Sequence, residues 1–398
     1  MDNQEGKSYS LPILFLTIFI DLLGFGIVIP ILPNYIKELT HSDVWVGVIA
    51  ASFSIMSFFS TPILGTLSDK VGRRPVLILT TLLSAAGYLM FSFAVSVPLL
   101  LISRIISGMS AGNISVAQAY ISDISTPENR TKRYGLIGAA FGLGFIFGPP
   151  IGGFLAAQLG WQSIGFFCCG LALLNLLLML FALPESNFHR NKSSAIRLFP
   201  VNDLVKAYQH PVQSRLITFG FLYVIAFSMF QITTTLLWQE KYHYDESQRG
   251  FLFAFIGICT ALVQGVFLGR IRKKFNEYQL LFWGSIIMGL TFIFMPFIPV
   301  SIFLPLVLTD LFLMSLANGG FSPSTISILS ATSDPTEQGA ILGLNQSLGS
   351  LARAIGPLLG TLFYSFHYST PYLGAGLLCF IGLTLLPVIR KFTLENKI

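Results

Sequence analysis

Four charged side chains stand inside long apolar runs of this 398-residue chain: Asp21, Arg104, Asp310 and Arg353. On insertion scales a charge at the bilayer centre costs roughly 2.5–3.5 kcal/mol, so each needs a partner or a task. An aspartate in a low-dielectric cavity can take a proton from one side and release it to the other. A guanidinium can pair with a carboxylate, or hold the carboxylate of an anionic compound through its two-pronged geometry. At about 1.5 Å per residue, Asp21 falls near the midplane of its run and Asp310 near the middle of its own. Arg104 falls in the outer part of a run, and Arg353 near or slightly beyond the middle of another. Ion coupling, substrate binding and a static buried pair are all open to these residue types. Gln231, Asn318, Asn345 and Gln346 add polar groups in the second half, either as cavity lining or as interhelical hydrogen-bond glue.

No nucleotide loop, metal cluster or nucleophile–histidine constellation accompanies these groups, so neither an enzyme nor a bound cofactor is expected. The missing phosphate-binding loop also argues against ATP-driven pumping. Cys168, Cys169, Cys259 and Cys379 all lie in apolar runs and read as small buried hydrophobes. The five histidines fall in loops or at the ends of runs and are assigned no role.

The elements that must position the charges follow from composition. The chain is 53% hydrophobic and only 11% charged, with a mean hydropathy of +0.72. Soluble domains carry about 25% charged residues, and a globule this apolar lacks the polar side chains to cover its surface. An integral membrane protein is expected. The net charge of +6 is dispersed among loops without a nucleic-acid motif, so nucleic acid is not an expected partner. The opening "MDNQEGKSYS" is acidic as well as basic and precedes a run too long for a cleavable signal.

A spanning helix needs about 20 mostly apolar residues. Twelve runs qualify: 11–36, 44–67, 75–95, 98–120, 133–158, 161–183, 213–238, 248–269, 278–299, 302–328, 339–366 and 369–390. The longest polar gap divides them into an N-terminal six-helix bundle (1–183), a linker (184–212) and a C-terminal six-helix bundle (213–398). With the N-terminus inside, nineteen of the 24 Lys and Arg fall on the cytoplasmic side. Only Lys37, Lys241 and Arg249 fall opposite. The asymmetry predicts a multi-pass protein with both termini cytoplasmic, expected in the cell's inner (plasma) membrane.

The halves repeat. A shift of 208 places Pro127 on Pro335, Gly135 on Gly343, Gly148 on Gly356, Pro149 on Pro357 and Gly152 on Gly360. Gly112 and Ser122 fall on Gly320 and Ser330 in the same register. An even number of helices per half makes this a parallel repeat about an axis along the membrane normal, which is transporter architecture.

Between the second and third runs lies "GTLSDKVGRRP", a knot of charge in a charge-poor chain. Basic anchoring accounts for Arg73 and Arg74 but not for Asp69 between Gly65 and Gly72. Gly65 would allow close helix approach and Gly72 a tight turn. Further on, "GAAFGLGFIFGPPIGG" places Gly144, Gly148, Pro149, Gly152 and Gly153 in one run, a density that favours close helix packing, with a bend expected at Pro149.

The charge knot resembles the loop signature of the major facilitator superfamily. The glycine-rich stretch resembles the fifth-helix signature of its drug:proton antiporters, and "FIDLLGFGIVIPILPNYIKEL" the first-helix one. The likeness is strongest to tetracycline efflux proteins, which also share "RIISGMSAG", and it covers most of the N-terminal half. It implies a major facilitator fold: an all-α protein of twelve transmembrane helices in two pseudo-symmetric bundles. It also implies proton-coupled efflux of a small molecule, in which Asp21 and Arg104 serve proton coupling and substrate binding. The 65–74 loop becomes a cytoplasmic clasp, and residues 144–153 a hinge and seal between the halves. Cavity-lining helices in this family add Gln231, Asp310, Asn345 and Arg353 as substrate-binding candidates. Asp310 and Arg353 either pair with each other or serve substrate, and Asp123 and Gln118 either join the gate or end a helix in solvent. Protons, the bilayer and a small molecule are the expected partners, and the chain is expected to act as a monomer.

Two departures stand against tetracycline itself. Where those exporters carry a third-helix aspartate this chain has Gly87 or its neighbour Tyr88, and Met288 stands near their ninth-helix acid. The alternative is a carrier of anionic carboxylates or siderophores that uses the membrane-embedded arginines.

Overall fold

The computed structural model describes residues 2–28, 31–40, 43–125, 127–187, 201–263, 267–271, 274–333 and 338–390. Nearly all of them are helical. Two compact units emerge, one from Met1–His41 and Ser52–Phe199, the other from Ser42–Ala51 and Pro200–Ile398.

Unit 1 is built from α1 (Asp2–Val28), α2 (Leu32–Thr40), α3 (Asp43–Val71), α4 (Arg73–Ser92), α5 (Val97–Ser110), α6 (Asn113–Ile124), α7 (Pro127–Leu159) and α8 (Trp161–Ala182). Two of the expected spans are broken. The run 11–36 is α1 followed by α2, divided in the proline-containing "VIPILP". The run 98–120 is α5 followed by α6, divided at Ala111 and Gly112. A Cβ added at Gly112 would lie 2.6 Å from Leu64 Cδ1 and 3.1 Å from Thr61 Cα, so glycine lets this break press against α3.

Unit 2 holds α9 (Val201–Gln209), α10 (Pro211–Glu240), α11 (Glu246–Leu262), α12 (Leu268–Ile271), α13 (Glu277–Phe294), α14 (Phe303–Ala331), α15 (Gln338–Tyr364) and α16 (Thr370–Leu383). The first turns of α3, up to Ala51, are grouped with it. The stretch expected to be a polar linker thus contributes a helix, α9, whose Ala207 is sealed in the apolar core of unit 2. Capping boxes start α11 (Asp245 with Gln248) and α13 (Asn276 with Gln279), satisfying backbone N–H groups at those helix starts.

Among the described residues, nine helical segments are long and apolar enough to cross a membrane. The other three expected spans fall on α11 with α12, on α15 and on α16. α11 and α16 are short, with 17 and 14 residues. α15 has 27 residues but interleaves Asn345, Gln346, Ser347, Ser350 and Arg353 with its apolar ones. Of these, Ser347 and Ser350 are buried, Asn345 and Arg353 are half-buried and Gln346 is exposed.

The repeat seen in the sequence reappears in the packing. α1 packs on α7 and α4 on α8 in unit 1, as α10 packs on α15 and α13 on α16 in unit 2. The glycines explain the first pairing. A Cβ at Gly148 would lie 2.7 Å from the backbone carbon of Gly26 in α1, and one at Gly144 would lie 2.9 Å from that of Leu22. Gly356 meets α10 in the same way, 2.9 Å from the carbonyl oxygen of Ile225. Pro149 and Gly153 are buried beside them, and α7 runs on as one helix through Pro149. Gly65 differs: among the described residues a Cβ there meets nothing within 4 Å, so none of them makes the close approach expected at that glycine.

Arg249, counted on the non-cytoplasmic side at the start of the run 248–269, is only 2% exposed. Its guanidinium closes the α10–α11 hairpin by donating to the carbonyls of Asp245 and Thr235 and to Gln239, and it pairs with Glu246 at 3.1 Å. In the same hairpin Lys241 donates to the Pro296 carbonyl at 2.5 Å and sits over the rings of Tyr242 and Tyr368. Partial burial holds the Lys241 ammonium below the ordinary lysine pKa.

Candidate functional site

The break in the fourth span builds the centre of unit 1. It makes Asn113 the first residue of α6, and the Asn113 side-chain amide donates to Asp21 Oδ2 on α1. The partly positive N-terminal end of a helix adds a second favourable element beside that carboxylate. Tyr88 of α4 reaches α1 one turn further on, so close that a Cβ at Gly24 would lie 2.1 Å from its hydroxyl. Tyr88 is within electrostatic range of both Asp21 and Arg104, and of Cys168 on α8.

Arg104 is 5% exposed on α5 and lies 5.0 Å from the ring centroid of Phe91. Its Nε and Nη2 have no hydrogen-bond partner among the described residues. The static Asp21–Arg104 ion pair is therefore not formed. Asp21 takes Asn113, Arg104 takes a ring face, and Tyr88 lies near both. Asn113 and Tyr88 are the functional candidates that the sequence reading missed.

The third-helix departure has a steric reason. A Cβ at Gly87 would lie 2.3 Å from Ser107 Oγ and 3.0 Å from the Ser107 amide nitrogen. α4 and α5 are too close there for any side chain. We expect Gly87→Asp to destabilise the protein, by about 1–3 kcal/mol for overpacking alone, rather than to restore an acidic site. A lower melting temperature of the purified variant is the readout.

In unit 2, Asp310 on α14 is 4% exposed and its Oδ2 has no hydrogen-bond partner among the described residues. Arg353 on α15 donates from Nη2 to Ser350 Oγ at 2.9 Å. The two do not pair with each other. Gln231 is half-buried on α10. Asn345 turns toward Gly220 of α10, whose added Cβ would be 3.7 Å from its Oδ1. Close by, Tyr223 and Phe321 stack at 3.9 Å, and the Tyr223 hydroxyl donates to Asn318 at 3.4 Å. Met288, near the absent ninth-helix acid, is fully buried in the apolar core.

The charge knot is a second constellation. Gly72 has φ +112°, the left-handed region open to glycine, and α4 begins at the next residue. Arg73 pairs with Asp69 at 2.6 Å and with Asp123, at the exposed end of α6, at 3.1 Å. Arg74 donates to the Leu180 carbonyl of α8. The sequence reading missed Glu185, just past α8. Its carboxylate accepts the backbone N–H groups of Arg73 at 2.8 Å and Arg74 at 3.3 Å, capping α4 from outside the helix. Ser186 donates to Asp123 and Asn187 to the Asp69 carbonyl, so the 65–74 loop is tied to both α6 and the exit of α8. Glu185→Ala should cost roughly 0.5–2 kcal/mol, as lost caps do. Glu185→Gln, which keeps one acceptor oxygen, should melt between that variant and the unaltered protein.

Buried ionisable groups in polytopic helices, packed as two repeated units, define a membrane transporter rather than an enzyme. The Major Facilitator Superfamily model matches residues 14–311 and 300–397, and the chain belongs to that family. It is 30% identical to the class C tetracycline resistance protein of Escherichia coli, over 94% of this chain and 95% of that one. It is equally identical to multidrug resistance protein 2 of Bacillus subtilis (strain 168), over 95% and 94%. The crystal structure of the human organic anion transporter MFSD10 superposes with a TM-score of 0.76 at 26% identity, covering 96% of this chain and 99% of that one.

Proposed function

We propose that the protein is a proton-coupled efflux antiporter of a small organic compound, working by alternating access in the cytoplasmic membrane with both termini inside. The observation that carries the reading is Asp21. It is a carboxylate within an apolar span, held by one amide donor, with a buried arginine and a tyrosine in the same bundle. A proton and a substrate competing for that centre would set the populations of the two access states. Drug-efflux relatives support the direction. Asp21, Arg104, Gln231, Asp310, Asn345 and Arg353 supply the substrate contacts, the 65–74 loop the cytoplasmic clasp, and residues 144–153 the hinge. The protein acts as a monomer.

Proton movement in inverted vesicles holding a pH gradient tests this. A panel of cationic drugs, tetracyclines and polycarboxylates is added, and collapse of the gradient by any of them, lost in Asp21→Asn, is the expected result. A second reading is favoured by Arg353, which has no carboxylate partner among the described residues, and by the likeness to an organic anion transporter. In it Arg104 and Arg353 hold an anionic carboxylate. Saturable uptake of a labelled carboxylate without gradient collapse would select that reading.

A further inference from the structure

Asp310 is the only charged residue of α14. It lies seven residues from Phe303, about 10 Å along the helix, and so well inside the span. Its neighbours one turn to either side, Val307 and Met314, and the adjoining Leu311 all belong to the apolar core of unit 2. An ionised carboxylate in such surroundings is costly unless hydrogen-bonded or paired, and a bound proton removes the cost.

The helices packed on α14 are α10, α11, α13 and α15. Their titratable and charged groups have other engagements or lie at the helix ends. On α11, Arg249 and Glu246 pair with each other at the hairpin, and Cys259 is a buried thiol. On α10, Tyr223 donates to Asn318 and Glu240 accepts from Tyr364 of α15, while Arg215 is exposed near the far end. On α13, Glu277 accepts from Ser327, seventeen residues further along α14, and Tyr278 follows it. On α15, Arg353 donates to Ser350. Asp310 forms no hydrogen bond or ion pair with any of them.

We propose that Asp310 is a proton-exchange site of unit 2, separate from Asp21. Its carboxylate binds a proton in one access state and releases it in the other. The proposal deepens the antiporter reading and rests on it for its role in transport, since each unit then brings its own proton to the cycle. Asp21 has a built-in donor in Asn113, whereas Asp310 has none among the described residues. The two carboxylates are therefore not interchangeable.

The test reads protons without substrate, so it stands or falls independently of any transport assay. Infrared difference spectra are recorded on the full-length protein in lipid vesicles during pH steps, following the C=O stretch of protonated carboxyl groups. Asp310→Asn should delete one band and leave the band that Asp21→Asn deletes. Asp310→Glu should shift the Asp310 band instead. A folded Asp310→Asn protein with the unaltered carboxyl spectrum would overturn the proposal. Should the asparagine variant not fold, an unshifted band in Asp310→Glu would do the same.

Discussion

Asp21→Asn is expected to reduce substrate-driven proton movement to background while leaving the protein folded. Asparagine has nearly the same shape as aspartate and can still accept the Asn113 amide, so packing between α1 and α6 should survive. What it loses is the capacity to bind and release a proton. The sign of the effect separates roles: a static packing residue would lower melting temperature and expression together, with coupling retained in whatever protein survives. Asn113→Ala supplies the companion measurement. It leaves Asp21 without its donor, and losing a hydrogen bond to a charged group costs about 1.5–3 kcal/mol of support for the ionised form. We therefore expect the pH profile of transport to move in Asn113→Ala, whereas Asp21→Asn should abolish the profile. A profile that stays put in Asn113→Ala would remove Asn113 from the proton site.

The sequence made some of this legible and hid the rest for physical reasons. Asp21 and Arg104 stand out because a charge inside an apolar run is conspicuous whatever the fold does with it. Their failure to pair could not be read, because it depends on a helix break at Ala111 and Gly112 that delivers Asn113 to Asp21. A single asparagine in "SAGNIS" carries no pattern of its own. Glu185 was hidden for a different reason: it caps a helix that begins 112 residues earlier, and no local spacing marks such a partner. α15 is legible as a span from the mostly apolar run 339–366, and the repeat independently places Gly356, Pro357 and Gly360 in register with the fifth span.

Glycines give the clearest case of one letter with two meanings, and with it the largest expected effect on stability. Gly65 and Gly148 both sit in family signatures, and the sequence assigns close packing to both. Alanine at Gly148 would place Cβ 2.7, 2.9 and 2.9 Å from the Gly26 backbone carbon, the Gly26 Cα and the Ile27 nitrogen. All three are backbone atoms of α1, so no rotamer change relieves the contact and the two helices must separate. Overpacking of this kind costs about 1–3 kcal/mol, and separation also disturbs Gly144 and Gly152, which close on α1 in the same row. Alanine at Gly65 meets nothing within 4 Å among the described residues and sits in a helix, where it is favoured over glycine by about 1 kcal/mol. Thermal melting of the purified full-length variants should place Gly65→Ala at or above the unaltered protein and Gly148→Ala clearly below it. Transport should fall with Gly148→Ala even at temperatures where the variant stays folded, because the α1–α7 contact also positions Asp21. Equal melting temperatures for the two variants would mean that α1 and α7 are not held at the separation described here.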